Sequence, residues 1–265
     1  MSDDSPRVAV FRPDDGRLAD AADRLRELGA EPVPDPMLAV EPTGATPVSD
    51  ATFVVFTSTT GADLVAEAGW SPEGATVCAI GASTADALRG HGYPVDVVPE
   101  AYSSAGLVGA LADRVDGARV EVARSDHGSD VLLEGLADAG ATVHETVLYR
   151  LVRPPGGGAS AARAAAGDLD GACFTSSLTV EHFLAAAAER GVRDAAVTAL
   201  VDDAVVGAIG EPTRETAADR GVDVDVVPDR ASVDALLRAV VEAARDRDAV
   251  SADSGADPAG DDAGD

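Results

Sequence analysis

The chain of 265 residues is long enough for two modest domains, and its apolar share of 46% is ordinary for a globular protein. Its net charge is −27, and all 20 of its basic residues are arginine. The sequence has no basic patch that could neutralise phosphates, which argues against nucleic acid as a partner. Since acidic residues are spread over every segment, a surface adapted to high salt explains the charge better than a basic binding partner does.

Short valine-rich strands alternate with helix-period segments along the first half of the chain. We predict strands at 8–11, 52–58, 76–81 and 95–98. This β/α alternation indicates parallel sheets with helices on both faces. The helix signals are apolar spacing from Leu18 to Leu28, helix-ending glycines at Gly29, Gly69 and Gly90, and Ser103 or Ser104 as the N-cap of a helix to about Val115.

The second half of the chain repeats the first. Segments 77–103 and 206–232 share 12 identical residues in 27 without a gap. A duplication that gives two similar α/β domains, at 7–112 and 119–240, explains this repeat, which is too long for a solenoid unit. Further matching pairs are 51–65 with 170–184, 7–16 with 118–128, and 24–33 with 135–144.

Three segments stand outside the repeat. Residues 32–42 contain four prolines and are predicted to be an extended connection, while 144–158 show strand alternation before a Pro/Gly break. The two lie at equivalent points and could pair as a two-stranded link between domains. From Asp246 the chain has seven aspartates and almost no large apolar residue, so we predict disorder there.

The ends of the chain and the cysteines bear on location. Residues 1–7 lack an apolar signal sequence, and no run of 18 apolar residues occurs, so we expect no export, no membrane span and a cytoplasmic location. Cys78 and Cys173 each lie in an apolar strand-like run without a CxxC motif, which favours buried thiols.

Hydroxyl side chains recur where a strand gives way to a helix. The carboxyl ends of parallel strands form the ligand crevice of open α/β sheets, and helix N-termini there favour anions. We therefore expect these residues to line one ligand cleft, although each could be a plain N-cap. They are Thr57, Ser58, Ser83, Thr84, Thr175, Ser176, Ser177 and Thr213.

Three further residues stand at informative positions. Arg12 and Arg124 end equivalent strands and could hold carboxylates bidentately, or form ordinary salt bridges. Tyr149 lies in the second connection, where it borders a ligand cleft or packs at a hinge.

Several motifs for other chemistry are missing from the sequence. There is no GxGxxG, no P-loop and no GxSxG, which argues against nucleotide binding and against a serine hydrolase. The histidines lack metal-ligand spacing, and we predict each to be a surface residue: His91, His127, His144 and His182.

Taken in order, the motifs resemble the uroporphyrinogen-III synthase family from about Val8 to Ala244. The matching stretches are "FRPDDG", "VVFTSTTGADLV", "AIGASTADALRGHG", "TVLYR", "CFTSSLTVEHF", "AIGEPTRETAADRG" and "SVDALLRAV". The resemblance implies two similar parallel-sheet α/β domains, flavodoxin-like, joined by a two-stranded β linker. It implies a first domain made of residues 1–36 and 150–245, and a second domain, 38–148, inserted within it. The predicted disordered tail then occupies 246–265. A monomer is expected.

The resemblance also implies an activity. The family is a lyase of heme and tetrapyrrole biosynthesis that cyclises linear hydroxymethylbilane to uroporphyrinogen III, inverting the terminal pyrrole and releasing water. It uses no cofactor and no metal. The upstream bilane-producing enzyme is a candidate partner. A rival hypothesis is a non-catalytic two-domain sensor of a tetrapyrrole or another anion, although no output element is evident in the sequence.

By resemblance, Tyr149 matches the family's linker tyrosine, a candidate to assist departure of the hydroxyl group. Thr84 and Thr213 match paired threonines that are candidates for binding the substrate's carboxylate arms. The remaining residues predicted to bind substrate are Arg12, Thr57, Ser58, Ser83, Ser103, Arg124, Thr175, Ser176 and Ser177.

Overall fold

The computed structural model describes residues 5–13 and 15–254. The chain forms two compact units. The residues up to Ala39 and from Arg153 onward form the discontinuous unit, and Val40–Val152 form the inserted unit. The chain therefore changes units between Ala39 and Val40 and between Val152 and Arg153, a few residues from the predicted boundaries.

Strands and helices alternate through most of the described chain. The strands are β1 (Arg7–Pro13), β2 (Glu31–Pro42), β3 (Phe53–Phe56), β4 (Thr76–Ala79), β5 (Arg119–Ser125), β6 (Thr142–Val152), β7 (Gly171–Phe174) and β8 (Val205–Ala208). The helices are α1 (Gly16–Glu27), α2 (Thr59–Glu67), α3 (Ala82–Gly90), α4 (Ser104–Leu111), α5 (Asp130–Asp138), α6 (Ser160–Ala165), α7 (Ser177–Glu189), α8 (Arg193–Asp203), α9 (Glu211–Asp219) and α10 (Val233–Ser254), with a short 3-10 turn at 112–114.

Each unit has a parallel sheet of its own. In the discontinuous unit the strand order is β2-β1-β7-β8, and in the inserted unit it is β4-β3-β5-β6. Every one of these pairings is parallel, which confirms the predicted parallel α/β class. Because a parallel connection needs a crossover, a helix follows most strands and covers the sheet.

Both faces of each sheet are covered by apolar cores. In the discontinuous unit Phe11 stacks on Phe174 at 4.6 Å between ring centroids, and Phe183 packs against both. In the inserted unit Trp70 packs on Phe56 and Tyr93. The scarce aromatic residues are thus concentrated on one face of each sheet, where large rings fill the most volume.

The two cysteines lie in these cores. Cys78 and Cys173 are fully buried and form no disulfide, which confirms the prediction of buried thiols. Burial raises the pKa of the Cys78 thiol to about 12 and also raises the pKa of Cys173. Neither is therefore a reactive thiolate near neutral pH.

The proline-rich segment 32–42 is a full strand rather than a bare connection. Pro32, Pro34 and Pro36 are two residues apart, so they share one side of β2, and the ladder to β1 can use the residues between them. Asp35, one of those residues, is buried. Its carboxylate accepts hydrogen bonds from the Gly158 and Ser160 N–H groups at 2.7 and 2.8 Å, and from the Ser160 hydroxyl.

The strand predicted at 95–98 is wrong, because only Val97 forms a bridge there, to Cys78. The Asp96 carboxylate accepts the backbone N–H of Val77 at 2.8 Å, so a side chain replaces part of the strand ladder. The repeat does the same with Asp225 and Val206, also at 2.8 Å. Alternating apolar residues in "VDVVP" mimic a strand, but the aspartate competes with the backbone for the hydrogen bond.

The disorder predicted from Asp246 is wrong for its first residues, because α10 continues to Ser254. Arg247 donates to the carbonyl oxygens of Ala204, at 2.7 Å, and Asp202. These contacts, and the apolar face that α10 packs on the sheet, extend the helix past the last large apolar residues. Residues 255–265, the rest of that predicted tail, lie outside the described residues.

A buried carboxylate lies on β5 of the inserted unit. Glu121 is 0% exposed; its Oε1 accepts the Thr146 hydroxyl, and its Oε2 lies 2.6 Å from His144 Nδ1. A buried charge is tolerated only when its oxygens are paired, so both β6 residues stabilise this sheet.

We predict that Thr146→Val lowers the free energy of unfolding by about 1–3 kcal/mol, because it leaves Oε1 of Glu121 without its hydroxyl donor. Thr142→Val, at the exposed start of the same strand, is the matched control and should change stability by less than about 0.5 kcal/mol. Urea unfolding at one fixed high salt concentration measures both. Equal stability of the two variants would contradict this account of Glu121.

Candidate functional site

A cavity of about 220 Å³ lies at the carboxyl ends of the strands of the inserted unit. Its lining residues come from the ends of β3, β4 and β5 or the loops after them, from the first turns of α4 and α5, and from β6, which contributes one residue. Ligand sites of open parallel sheets form at this edge. The lining residues are Thr57, Ser58, Ile80, Ser104, Arg124, Ser125, His127, Gly128, Ser129, Leu132 and Tyr149.

Ser58 has two roles in this cavity. As the N-cap of α2 its Oγ accepts the Gly61 N–H at 2.9 Å, and it also accepts the Tyr149 hydroxyl at 3.0 Å. A serine oxygen has two lone pairs and one proton. With both lone pairs occupied, the Ser58 proton is free to be donated to a ligand, so capping and ligand binding are compatible here.

Tyr149 reaches the cavity because of a bulge in β6. The register shifts between Arg124 and Ser125, so that Ser125 lies opposite Tyr149 and Leu148 is passed over. Leu148 and Tyr149 consequently pack into the same apolar core, although they are neighbours in sequence. The tyrosine is 7% exposed, with its ring in the core and its hydroxyl on Ser58. Core packing and a functional hydroxyl therefore coexist.

Arg124 lines the cavity, but protein groups use most of its donors. Its Nε donates to Glu145 at 2.6 Å and its Nη1 to the Ser129 carbonyl at 2.7 Å, while Nη2 lies 3.6 Å from Asp130. The side chain is almost fully buried. The structure thus gives it the salt-bridge role considered in the sequence, as the centre around which residues 125–129 fold.

Residues 125–129, the His127 loop, are closely organised. Asp126 Oδ1 accepts the Leu151 N–H at 3.0 Å and lies 2.8 Å from Nδ1 of the His127 ring. Burial raises the pKa of the Asp126 carboxyl, but the hydrogen bonds from His127 and Leu151 outweigh it, so the pKa lies below its usual range. Asp126 is therefore ionised at neutral pH.

Thr84 and Thr213 occupy the same position in the two repeats. Each is the third residue of a helix, α3 or α9, whose N-cap is a glycine that makes no side-chain capping bond. Both threonines are buried, and neither hydroxyl has a hydrogen-bond partner within the described part of the chain. The start of α3 therefore has N–H groups to offer an anion. The start of α9 has fewer, because Pro212 has no N–H and the Thr213 N–H donates to the Gly210 carbonyl at 3.1 Å. Neither threonine lines the cavity, and Ser83, beside Thr84, is exposed.

The other predicted hydroxyls have partners inside their own unit. Ser103 and Ser176 cap α4 and α7, the latter in a capping box with Thr179. Thr175 donates to the Phe11 carbonyl at 2.6 Å, and Ser177 donates to the Pro212 carbonyl at 3.1 Å. For these four residues the structure favours the local capping or bridging role over ligand binding.

Arg12 does not share a cavity with the predicted hydroxyl residues of its unit. It borders a second cavity of about 220 Å³ in the discontinuous unit with Arg17, Arg24 and Asp234. Its Nε is buried and unbonded among the described residues. Burial, and then the positive charge of Arg17, lower its pKa. The site residues predicted from sequence that the structure brings together are therefore Thr57, Ser58, Arg124 and Tyr149.

Sequence reasoning missed the His127 loop as part of the site. His127 was expected to be a plain surface residue, and it is exposed, yet it lines the cavity and contacts Asp126. Its signal was available: "RSDHG" (124–128) begins at the last two residues of β5, at the carboxyl edge, and matches "RPDDG" (12–16), which begins at the last two residues of β1.

The family model of uroporphyrinogen-III synthase HemD matches residues 19–238, most of the chain. The chain belongs to the uroporphyrinogen-III synthase family. Among curated proteins it is 28% identical over 249 residues to one of Methanothermobacter thermautotrophicus named "Putative uroporphyrinogen-III synthase", covering 88% of this chain and 96% of that one. The family suggested by the sequence motifs is thereby confirmed.

Solved structures of the uroporphyrinogen-III synthase family share the fold. A mutant synthase from the extreme thermophile Thermus thermophilus superposes with a TM-score of 0.62 at 21% identity, over 91% of this chain and 99% of that one. The uroporphyrinogen-III synthetase of Helicobacter pylori 26695 gives 0.55 at 14% identity, over 89% and 99%. At these identities the likeness establishes the fold alone.

Neither a metal-binding cluster nor a membrane-spanning helix is found among the described residues. Across residues 5–13 and 15–254 no group of three or more histidine, cysteine, aspartate or glutamate side chains is arranged to hold a metal ion. Within the same ranges no helix has the length and apolar content needed to cross a membrane.

We predict that Gly128→Ala destabilises the inserted unit by about 1–3 kcal/mol. A Cβ there would lie 2.5 Å from Cδ and 2.6 Å from Nη1 of Arg124, whose guanidinium is fixed by Glu145 and Ser129. Gly16 is the equivalent residue of the other repeat and has nothing within 4 Å of its would-be Cβ. Gly16→Ala is therefore the control, expected to be neutral or slightly stabilising. Thermal unfolding compares them; equal melting temperatures would refute the proposed packing.

Proposed function

We propose that this protein catalyses the reaction for which its family is named. It would convert hydroxymethylbilane to uroporphyrinogen III with loss of water and inversion of the terminal pyrrole, as a lyase of tetrapyrrole biosynthesis. The observation that supports this most directly is the Tyr149 hydroxyl, held by Ser58 at a cavity on the carboxyl edge of a parallel sheet. We further propose a cytoplasmic location, where its buried cysteines stay reduced.

The cavity is sized for part of the substrate. At about 220 Å³ it is smaller than pockets that enclose a drug-sized ligand, and a tetrapyrrole is larger still. We assign it to one pyrrole ring with its hydroxymethyl group. Ser58, through its free proton, and Tyr149 would then contact the oxygen that leaves.

Neutral donors suit the carboxylate arms of the substrate. The arms carry eight negative charges, and the sequence offers no lysine to meet them. The start of α3, with a glycine N-cap and Thr84 in its first turn, can bind a carboxylate through N–H groups and a hydroxyl. At the start of α9, where Pro212 has no N–H and the Thr213 N–H bonds to Gly210, the Thr213 hydroxyl is the main donor. We propose that role for both residues, each in its own unit.

Positioning accounts for the outcome of the reaction. Loss of the hydroxyl leaves a cationic azafulvene, and free in solution the chain closes to the symmetric isomer. An enzyme that makes the other isomer must hold the terminal ring in place during closure and keep water away. A tyrosine fixed by both a core and a hydrogen bond provides such a rigid contact.

Isomer analysis tests the reaction. We expect purified protein at high salt, given fresh hydroxymethylbilane, to yield more type III uroporphyrin after oxidation than a protein-free control. Only type I from a folded protein would reject the enzyme in favour of a non-catalytic sensor of a tetrapyrrole or another anion, which ligand-binding measurements would then examine.

We predict that Tyr149→Phe lowers kcat for type III formation by about 10–100-fold, because it removes the hydroxyl and keeps the buried ring. Tyr93→Phe is the matched control: that hydroxyl donates to the Trp70 carbonyl at 2.9 Å, in the core of the same unit. It should alter stability and leave kcat within about twofold. A Tyr149→Phe enzyme as active as Tyr93→Phe would remove Tyr149 from the mechanism.

We also predict that KM for hydroxymethylbilane rises steeply as ionic strength falls. A net charge of −27 repels an eightfold anion, and this repulsion is screened at molar salt, where the Debye length is about 3 Å. Initial rates between 0.1 and 3 M salt (about a thirtyfold span), with circular dichroism as a check on folding, measure the effect. An unchanged KM in dilute buffer would contradict salt adaptation.

A further inference from the structure

We propose that His127 is the acid that protonates the departing hydroxyl group, with Asp126 as the residue that positions its ring. The inference rests on the proposed reaction and adds to it the source of the proton. It is carried by three observations: the place of His127 at the cavity, its contact with Asp126, and the attachment of its loop to the strand that bears Tyr149.

The His127 ring has one nitrogen engaged. Nδ1 lies 2.8 Å from Asp126 Oδ1, which leaves Nε2 as the ring nitrogen available to a ligand in the cavity. The Asp126 carboxylate, whose pKa is lowered by its hydrogen bonds, carries a negative charge beside the ring. The imidazolium form of the ring, with a proton on each nitrogen, can act as an acid through Nε2 while Nδ1 stays on Asp126.

Asp126 ties this histidine to the strand of Tyr149. Its backbone N–H donates to the Tyr149 carbonyl at 3.2 Å, and its side chain accepts the Leu151 N–H at 3.0 Å. These two hydrogen bonds lie on either side of Arg150 along β6. Because Arg124 holds the far end of the loop through the Ser129 carbonyl, His127 is fixed on a rigid support as catalytic groups require.

The other repeat has neither a histidine at the position of His127 nor a tyrosine at the position of Tyr149. Asp15 takes the place of His127, where it caps α1 and pairs with Arg17. The same register shift occurs in β1 and β2, and it places Leu38 where β6 has Tyr149. Hydroxymethylbilane has a single hydroxymethyl group, so one acid in one unit is sufficient.

The C–O bond of the hydroxymethyl group breaks, and its electron pair leaves with the oxygen, which takes the proton from His127 Nε2 and departs as water. The pyrrole nitrogen stabilises the resulting cation as an azafulvenium ion. Closure at the substituted carbon of the terminal pyrrole gives a spirocyclic intermediate, and the C–C bond that this carbon already had to the chain then breaks, which forms a second azafulvenium ion. This ion closes at the free carbon of the same ring, and loss of the proton from that carbon restores the aromatic pyrrole in the inverted orientation. That proton can return to His127, so the enzyme is regenerated with one water released.

The test compares His127→Gln with a matched control, His91→Gln. His91 also pairs with an aspartate, Asp63, at 2.7 Å, and its side chain is 39% exposed against 42% for His127. It lies on the end of α3 and does not line the cavity. We expect His127→Gln to lower kcat about 100-fold with KM changed less than threefold, and His91→Gln to resemble wild type.

The pH dependence distinguishes an acid from a structural residue. The charged or titratable groups at or next to the cavity are Arg124, Asp126 and Tyr149, with Glu145 and Asp130 on Arg124. Wild-type kcat should fall as pH rises and the imidazolium loses its proton. This limb should be absent in His127→Gln. Asp126→Asn, which loses the carboxylate that positions the ring, should lower kcat and keep the limb. Added imidazole should partly restore a His127→Ala enzyme.

The outcomes separate this inference from the proposed function. Suppose that the wild-type protein makes the type III isomer, and that His127→Gln has the same kcat and pH profile as His91→Gln. This result would overturn the role of His127 and leave the proposed reaction unaffected. A loss confined to KM would overturn it too, since it would make His127 a binding group. A wild-type protein that forms no type III isomer would remove both proposals together.

Discussion

Parallel strand pairing is the constraint on which the rest of this structure depends. Because each strand runs in the same direction as its neighbours, every loop that leaves a strand emerges at one edge of its sheet, and the helix that follows begins there. In the inserted unit this edge receives loops from β3, β4 and β5, and β6 passes beside it. Residues as distant in sequence as Ser58 and Tyr149 are brought into hydrogen-bond contact by this geometry together with the register shift between β5 and β6.

The duplication shows which features are structural and which are chemical. Both copies keep the aspartate that replaces part of a strand ladder, Asp96 or Asp225, and the glycine-capped helix with a buried threonine. Both also keep the register shift after the first strand. The copies differ where that strand ends. There the inserted unit has His127 and the buried Arg124, which pairs with Glu145, and Tyr149 lies on the neighbouring strand β6. The shared features build the edge, and the differences confine the groups of the proposed chemistry to one unit.

Sequence patterns predicted the parts of this molecule that follow from short-range periodicity. The parallel sheets, the repeat and the turns with Ser58 and Thr175 follow from alternation of apolar residues and from capping preferences. The failures lie where a side chain overrides the backbone pattern. The Asp96 carboxylate takes a ladder position, and Arg247 extends α10 beyond its apolar face. The position of His127 at the carboxyl edge could be read from "RSDHG", but the hydrogen bond that ties its loop to β6, between the Leu151 N–H and Asp126, joins residues 25 apart and has no local signal.

The acidity of the chain limits how it can bind an anionic substrate. With 47 acidic residues and 20 arginines, most arginines have an acidic partner close by, as Arg7, Arg24 and Arg119 do. An arginine paired in this way already directs its donors to the protein. Hydroxyls and helix N–H groups carry no net charge, so neighbouring carboxylates do not compete for them as strongly. They also keep their hydrogen bonds in concentrated salt, where the attraction between exposed charges is largely screened. A protein adapted to salt can therefore bind a polycarboxylate best through neutral donors at helix starts. In the described chain, the helix-start residues Thr84, Thr213 and Ser58 retain a hydroxyl that is free to donate.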